Sequence, residues 1–153
     1  KDFDVRIITQ NIDNLHERAG SSHVIHLHGE LMKACSVRDL DTTYNLPPEN
    51  PDIHLGDKDP HGNQLRPFVV WFGEAVPMIE PSIKLVEDCD IFVIIGTSFN
   101  VYPAAGLLNY VRRGQPIYLI DPKDVRTYRN DIEHIQAGAS EGVKRLTELL
   151  TQN

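Results

Sequence analysis

Cysteine is scarce in this chain: Cys35 and Cys89 are the only two in 153 residues, and they lie far apart. They read as free thiols in a reducing cytoplasm, because nothing near the N-terminus has the charged, apolar, small-residue order of a secretion signal. Long hydrophobic runs are also missing. No stretch approaches the roughly 20 apolar residues that span a bilayer, so no membrane role is expected. Positive charge is in deficit, with 15 Lys and Arg against 22 Asp and Glu, a net charge of −7 and a pI of 5.4. That balance argues against nucleic acid as the main partner, since phosphate-backbone binding needs a basic surface. An acidic surface suits a basic peptide instead. What is present is ordinary for a soluble globular protein with one core: 41% hydrophobic and 24% charged residues. Lys1 is not an initiator methionine and stands just before an apolar strand, so the sequence reads as one cut from a longer chain.

Apolar β-branched runs predict strands at 5–8, 24–27, 68–72, 91–95 and 117–120. Helical spacing predicts helices over 82–88, about 102–113 and 140–150, the last with Val143, Leu146, Leu149 and Leu150 on one face. Between 32 and 66 the periodicity disappears under six prolines and glycines, which predicts a long, soft loop or a small inserted module. Strand and helix alternate elsewhere. The fold class expected is therefore α/β, an open parallel Rossmann-like sheet, with 1–31 and 67–153 forming the sheet-bearing parts and 32–66 an irregular insert.

In such sheets, ligands bind beyond the carboxyl ends of the strands. Three strands here end in polar or glycine-containing clusters: Thr9-Gln10-Asn11, Gly96-Thr97-Ser98 and Asp121-Pro122. Hydroxyl and carboxamide groups suit a ribose or an amide, and a glycine lets backbone approach a ligand. The same residues serve equally well in turns and helix caps. His26-Leu27-His28-Gly29 is the sharpest local feature. On a strand the two histidines share a face. They suit a metal pair, a general base near neutral pKa, or two satisfied structural histidines, and no further ligands stand at a convincing zinc spacing.

Read in order, Thr9-Gln10-Asn11-Ile12-Asp13-Asn14-Leu15-His16, His26-Leu27-His28-Gly29, Val69-Val70-Trp71-Phe72-Gly73-Glu74, Gly96-Thr97-Ser98 and Val101-Tyr102-Pro103-Ala104-Ala105 closely resemble the signature blocks of the sirtuin family, and of its bacterial type in particular. The resemblance implies an NAD-dependent protein-lysine deacylase that releases nicotinamide and O-acyl-ADP-ribose. It implies that His28 is the base acting on the cofactor's ribose hydroxyls, with Asn11 and Asp13 lining a nicotinamide pocket and Gln10 beside the ribose. An Asx-type turn capping the next helix is a second role for Asn11 and Asp13, and the two can coexist. Val70, Phe72, Gly73 and Glu74 match the segment that pairs with an acylated-lysine peptide by strand addition. Core packing is expected for at least one of Trp71 and Phe72. Gly96, Thr97 and Ser98 match the adenosine-ribose loop. Asp121 stands where the family commonly has asparagine, and an ionised carboxylate cannot donate a hydrogen bond.

Two features depart from the family pattern. Sirtuins usually carry two Cys-x-x-Cys zinc pairs, whereas here Cys35 is followed by Arg38 and the region 57–62 has no cysteine. Thiolate zinc is not expected. His54, Asp57, Asp59 and His61 form either another metal site or a solvated polar loop, and a zinc-free module held by hydrogen bonds and turns is the expectation. The glycine-rich phosphate loop that precedes the Thr-Gln-Asn block in sirtuins is also not in the sequence, so weak NAD binding and little activity are expected of these residues alone. Alternative readings are a protein mono-ADP-ribosyltransferase and a non-catalytic nucleotide- or peptide-binding module. Acyl preference and oligomeric state are not legible.

Overall fold

A computed structural model describes residues 3–97, 104–125 and 128–152. The chain divides into two compact units, Lys1–Glu80 and Pro81–Asn153.

In the first unit, β1 (Ile7–Thr9) and β2 (Val24–His26) form a parallel pair joined through the short helix α1 (Leu15–Arg18). The register sets Ile7 against Val24 and Thr9 against His26, so the polar end of β1 lies beside the histidine that ends β2. A tight turn at Leu27-His28 leads into β3 (Gly29–Ser36), the eight-residue centre of a second sheet. It is flanked antiparallel by β4 (Thr43–Asn45) and β5 (Leu65–Val69), in the order β4-β3-β5. Gly29 makes this junction possible. Its φ is +86°, and a Cβ there would stand 2.1 Å from the Phe68 carbonyl oxygen.

Much of the region expected as a loop or insert is therefore ordered sheet. The long, soft loop that was one expectation for 32–66 is not what forms there. Within this region, the Asp59 carboxylate is buried and accepts from the amides of His61 and Asn63 and from the Asn63 side chain, at 2.8–3.4 Å. Gln64 donates to the His54 carbonyl at 2.9 Å and accepts from the Gly56 amide at 2.8 Å. These hydrogen bonds hold the turns of residues 54–64.

In the second unit, β6 (Phe92–Ile95), β7 (Ile117–Ile120) and β8 (Ile132–Ile135) form a parallel sheet with β7 in the centre. Every residue of β7 is buried, which explains its uninterrupted apolar sequence. α2 (Ile79–Glu87) precedes the sheet and buries Ser82 and Val86. The segment between β6 and β7 holds a 3₁₀ helix, Ala104–Tyr110, where an α-helix over 102–113 was expected; 101–103 lie outside the described residues. β8, with Glu133 and His134 interrupting its isoleucines, was not anticipated. α3 (Ala139–Thr151) covers the sheet, and Leu146 packs with Tyr118 and Ile120. Its buried stripe runs through Gly142 and Leu146 to the partly buried Leu150. Val143 and Leu149 are 42% and 44% exposed, so they flank the stripe that they were expected to form. Parallel strands in both units bear out the α/β class, and the antiparallel sheet of residues 29–69 is added to it. No helix among the described residues is long and apolar enough to cross a membrane.

Candidate functional site

The two histidines of the His26-Leu27-His28-Gly29 block differ in placement and chemistry. β2 ends at His26 and His28 lies in the turn, so the period-two rule does not carry from one to the other. His26 is 7% exposed, with Nδ1 2.8 Å from the Asn11 carbonyl oxygen and Nε2 2.8 Å from Glu17 Oε1. Burial pulls its pKa down, but the hydrogen bonds to Glu17 and to Asn11 outweigh this and raise it above the ordinary histidine value. His28 is half-buried and its ring has no hydrogen-bond partner among the described residues. Desolvation alone lowers its pKa. A neutral imidazole with no partner can accept a proton from a bound molecule. Leu27 is 1% exposed beneath the turn, and the His28 carbonyl accepts from the Val70 amide at 2.9 Å.

The loop after β1 brings Gln10, Asn11 and Asp13 next to this turn through the same contacts. The Asn11 amide donates to Thr9 Oγ1 at 3.1 Å, and the Ile12 carbonyl accepts from Leu31 at 2.8 Å. Asp13 Oδ1 accepts from the Leu15 amide at 3.0 Å, the Asx-type turn expected before α1. The Gln10 and Asn11 side chains have no protein partner among the described residues.

Beyond β5, the segment of Val70, Trp71, Phe72, Gly73 and Glu74 leaves the sheet in a turn. Arg66 grips Glu74 with two nitrogens, at 2.7 and 3.0 Å, and Glu74 also accepts from the Trp71 amide at 2.9 Å. The Arg66 hydrogen bonds, then that from Trp71, bring the Glu74 pKa down to about 2. Its carboxylate is thus engaged within the chain, a clamp the sequence reading missed. Phe72 is fully exposed and Trp71 56% exposed, so neither packs in a core: the strand stops at Val69 and the clamped turn, with Gly73 at φ +90°, carries both outward. The Phe72 and Gly73 amides pair with no described group and remain free for another strand.

In the second unit, Gly96 and residues 121–125 line an open depression of about 500 Å³ at the carboxyl ends of β6 and β7. Gly96, at φ +61°, leaves its side-chain direction empty. Asp121 Oδ1 accepts from the Lys123 amide at 2.8 Å, turning the loop back on itself. The loop's carbonyls are held from β8 and just beyond it: His134 Nε2 donates to Asp121 at 3.0 Å and Gln136 to Pro122 at 3.3 Å. Neither side chain was picked out from the sequence, where nothing but the polar break in β8 signals them. Thr97 is half-buried, and Ser98 lies outside the described residues.

The donor set does not fit zinc. Cys35 is buried, with its thiol 3.9 Å from the Pro67 carbonyl and its pKa pushed up by burial, and Cys89 belongs to the other unit. Asp59 is consumed by internal donors, and no group of three His, Cys, Asp or Glu able to hold a metal occurs among the described residues.

Parallel strands that end in polar loops, with an open depression at the ends of β6 and β7, place the chain in the class of α/β folds that bind ligands beyond their strand ends. Comparison with known proteins narrows the class. Residues 1–103 match the sequence profile described as the Sir2 family. The chain is 60% identical over 157 aligned residues to an NAD-dependent protein deacylase of Bacteroides thetaiotaomicron, covering 98% of this chain and 66% of that protein. It is 50% identical to one of Helicobacter pylori, covering 80% and 52%. Among solved structures, a Sir2 homolog–NAD complex superposes with a TM-score of 0.75 at 36% identity, covering 96% of this chain and 60% of that one. A Sir2–p53 peptide–NAD⁺ complex superposes at 0.72 with 28% identity, covering 97% and 64%. The chain belongs to the Sir2 family. It spans roughly half to two-thirds of the length of these curated relatives.

Proposed function

We propose that the protein is an NAD-dependent protein-lysine deacylase in which His28 is the catalytic base. The observation that carries this reading is His28 itself: half-buried, with no partner among the described residues, and held neutral by desolvation in the segment that matches the family. Bound NAD supplies a ribose carbon from which nicotinamide can leave when an acyl-lysine oxygen attacks it. His28 accepts the proton of a ribose hydroxyl through its free imidazole nitrogen. Gln10 and Asn11, whose carboxamides have no partner among the described residues, hold the nicotinamide and its ribose together with the Asp13 carboxylate, which also accepts from the Leu15 amide. Gly96, Thr97, Ser98 and Asp121 take the adenosine. With its carboxylate turned onto Lys123, Asp121 acts as acceptor and loop cap in place of the family's donor.

The acylated-lysine peptide pairs with residues 70–73, where the free Phe72 and Gly73 amides support strand addition. Glu74 serves that segment by fixing its turn through Arg66. We further propose that 32–66 acts as a small module between two sheet-bearing parts, 1–31 and 67–153. Two free cysteines support a cytoplasmic setting.

The test is mass spectrometry of an acetyl-lysine peptide incubated with NAD and the protein at the length of its curated relatives, in parallel with this chain. The expected products are free lysine, nicotinamide and O-acetyl-ADP-ribose, and His28→Ala lowers their formation about 10²- to 10⁴-fold, the usual range for a lost general base. An ADP-ribosylated peptide in their place would identify a transferase. Equal activity in His28→Ala would sink the role assigned to that residue.

A further inference from the structure

His26 is a buried histidine that the proposed mechanism does not use, and the chemistry of its two partners fixes its protonation. Nδ1 faces a backbone carbonyl oxygen and Nε2 faces a carboxylate oxygen, each at 2.8 Å. Neither group can donate a hydrogen bond when Glu17 is ionised. Its carboxyl is held below the ordinary value, chiefly by the hydrogen bond from His26, so it is ionised at neutral pH. Both ring nitrogens must therefore carry protons. A neutral ring would set a lone pair against an oxygen at hydrogen-bonding distance, and at 5% side-chain exposure little water reaches it in compensation.

The charged groups around His26 act in the same direction: Glu17 on α1 and, more weakly, Glu30 on β3 both favour the cation. From β1, its register partner is the neutral Thr9. Among the described residues, the loop that His26 touches has three other ties: the Asn11 amide to Thr9, the Ile12 carbonyl to Leu31 and the Asp13 carboxylate to Leu15. Of its hydrogen bonds, only the one from His26 to the Asn11 carbonyl depends on an imidazole proton. When the ring loses one proton, the remaining proton stays toward the stronger acceptor, the Glu17 carboxylate. The contact that fails is the one to Asn11.

We infer that His26 is an imidazolium that positions the Asn11–Asp13 loop, so that binding of the nicotinamide end of the cofactor weakens when His26 loses its proton. The inference rests on the deacylase reading for its ligand and on this structure alone for its switch. The switch is read first, by ring ¹⁵N NMR of this chain. His26 is expected to show two protonated nitrogens at pH 7 and to titrate above an ordinary histidine. In Glu17→Gln it should titrate lower, and exchange of the Asn11 and Leu31 amides should quicken at the new, lower pH. A neutral His26 ring at pH 7 in the wild type, or titration unmoved by Glu17→Gln, overturns the inference.

The consequence for binding is read from the pH dependence of KM for NAD against kcat. KM is expected to rise several-fold on the alkaline side, and Glu17→Gln should move that limb to lower pH while the acid limb of His28 stays in place. His26→Gln can donate to Asn11 but cannot titrate, so it should retain activity and lose the alkaline limb. An alkaline limb unchanged in His26→Gln overturns the positioning role. If the wild type turns over no NAD, the deacylase reading fails, while the NMR and amide exchange still decide whether His26 is the switch.

Discussion

Two histidines separated by one leucine are shifted in opposite directions, and the cause in each case is a partner or the lack of one. His28 has nothing to offset its desolvation, so it should titrate below an ordinary histidine, and its acid limb in kcat/KM should lie below pH 6.5. Since its ring makes no hydrogen bond among the described residues, His28→Ala should cut turnover about 10²- to 10⁴-fold and leave the melting temperature nearly unchanged; a large drop in melting temperature would mean the ring is structural. Read from the residues alone His28 and His26 were equivalent, and only the family resemblance singled out His28, because the partners of His26 are 15 and 9 residues away along the chain. The Glu74 clamp escaped for the same reason, since Arg66 lies on β5 and nothing in the local spacing pairs them. Asp59 was legible only as one of four residues that suited either a metal site or a solvated polar loop. Burial pushes its carboxyl up, yet hydrogen bonds from Asn63, His61 and Ser36 prevail and hold it low. Asp59→Ala should therefore leave several donors unpaired and speed limited proteolysis within 54–64, whereas Asp59→Asn, which keeps an acceptor, should be milder.

At the scale of elements, strands with uninterrupted apolar runs were legible and those broken by polar residues or proline were not. β7 is central and buried on both faces, so its four residues announce it; β8 sits at the edge, where Glu133 and His134 cost nothing. β5 carries Pro67 and β4 is three residues long, which hid the antiparallel sheet inside a region that reads as loop. Two glycines set how closely elements pack. Gly29→Ala meets both a left-handed backbone and the Phe68 carbonyl, which cannot move without breaking β3 from β5. A loss of about 3 kcal/mol in denaturant melts is expected, with a lowered kcat because His28 precedes this residue. Gly142→Ala drives its methyl to 2.2 Å from the Ile120 side chain beneath α3. Overpacking costs of about 1–3 kcal/mol should outweigh the roughly 1 kcal/mol that alanine gains in a helix, so the variant melts lower; a stabilised Gly142→Ala would show that Ile120 yields freely.

Across the whole molecule, the shifted groups set a stability profile with two slopes of different origin. On the acid side, Glu17, Asp39, Asp59, Glu74 and Asp131 all have lowered carboxyl pKa values. Their contribution is complete above the unfolded values near 4 and is lost as pH falls through the folded ones, which for Glu74 extends to about 2. His28 acts in the same sense at higher pH. Its folded pKa is below its unfolded value, so its contribution is complete above pH 6.5 and declines below it, where the unfolded chain binds a proton that the folded chain resists. His26 has the opposite sign. Its raised pKa stabilises the fold fully below pH 6.5, and this is lost as pH rises through the folded value. The net charge of −7 at pH 7 becomes more negative in that direction and adds self-repulsion. Melting temperatures measured from pH 4 to 9 at constant salt should therefore pass through a maximum near neutrality. His28→Gln should flatten the shoulder just below pH 6.5 and His26→Gln the decline above it, each leaving the other slope intact. If one substitution flattened both slopes, the two rings would be a single coupled titration and the separate roles assigned to them would not stand.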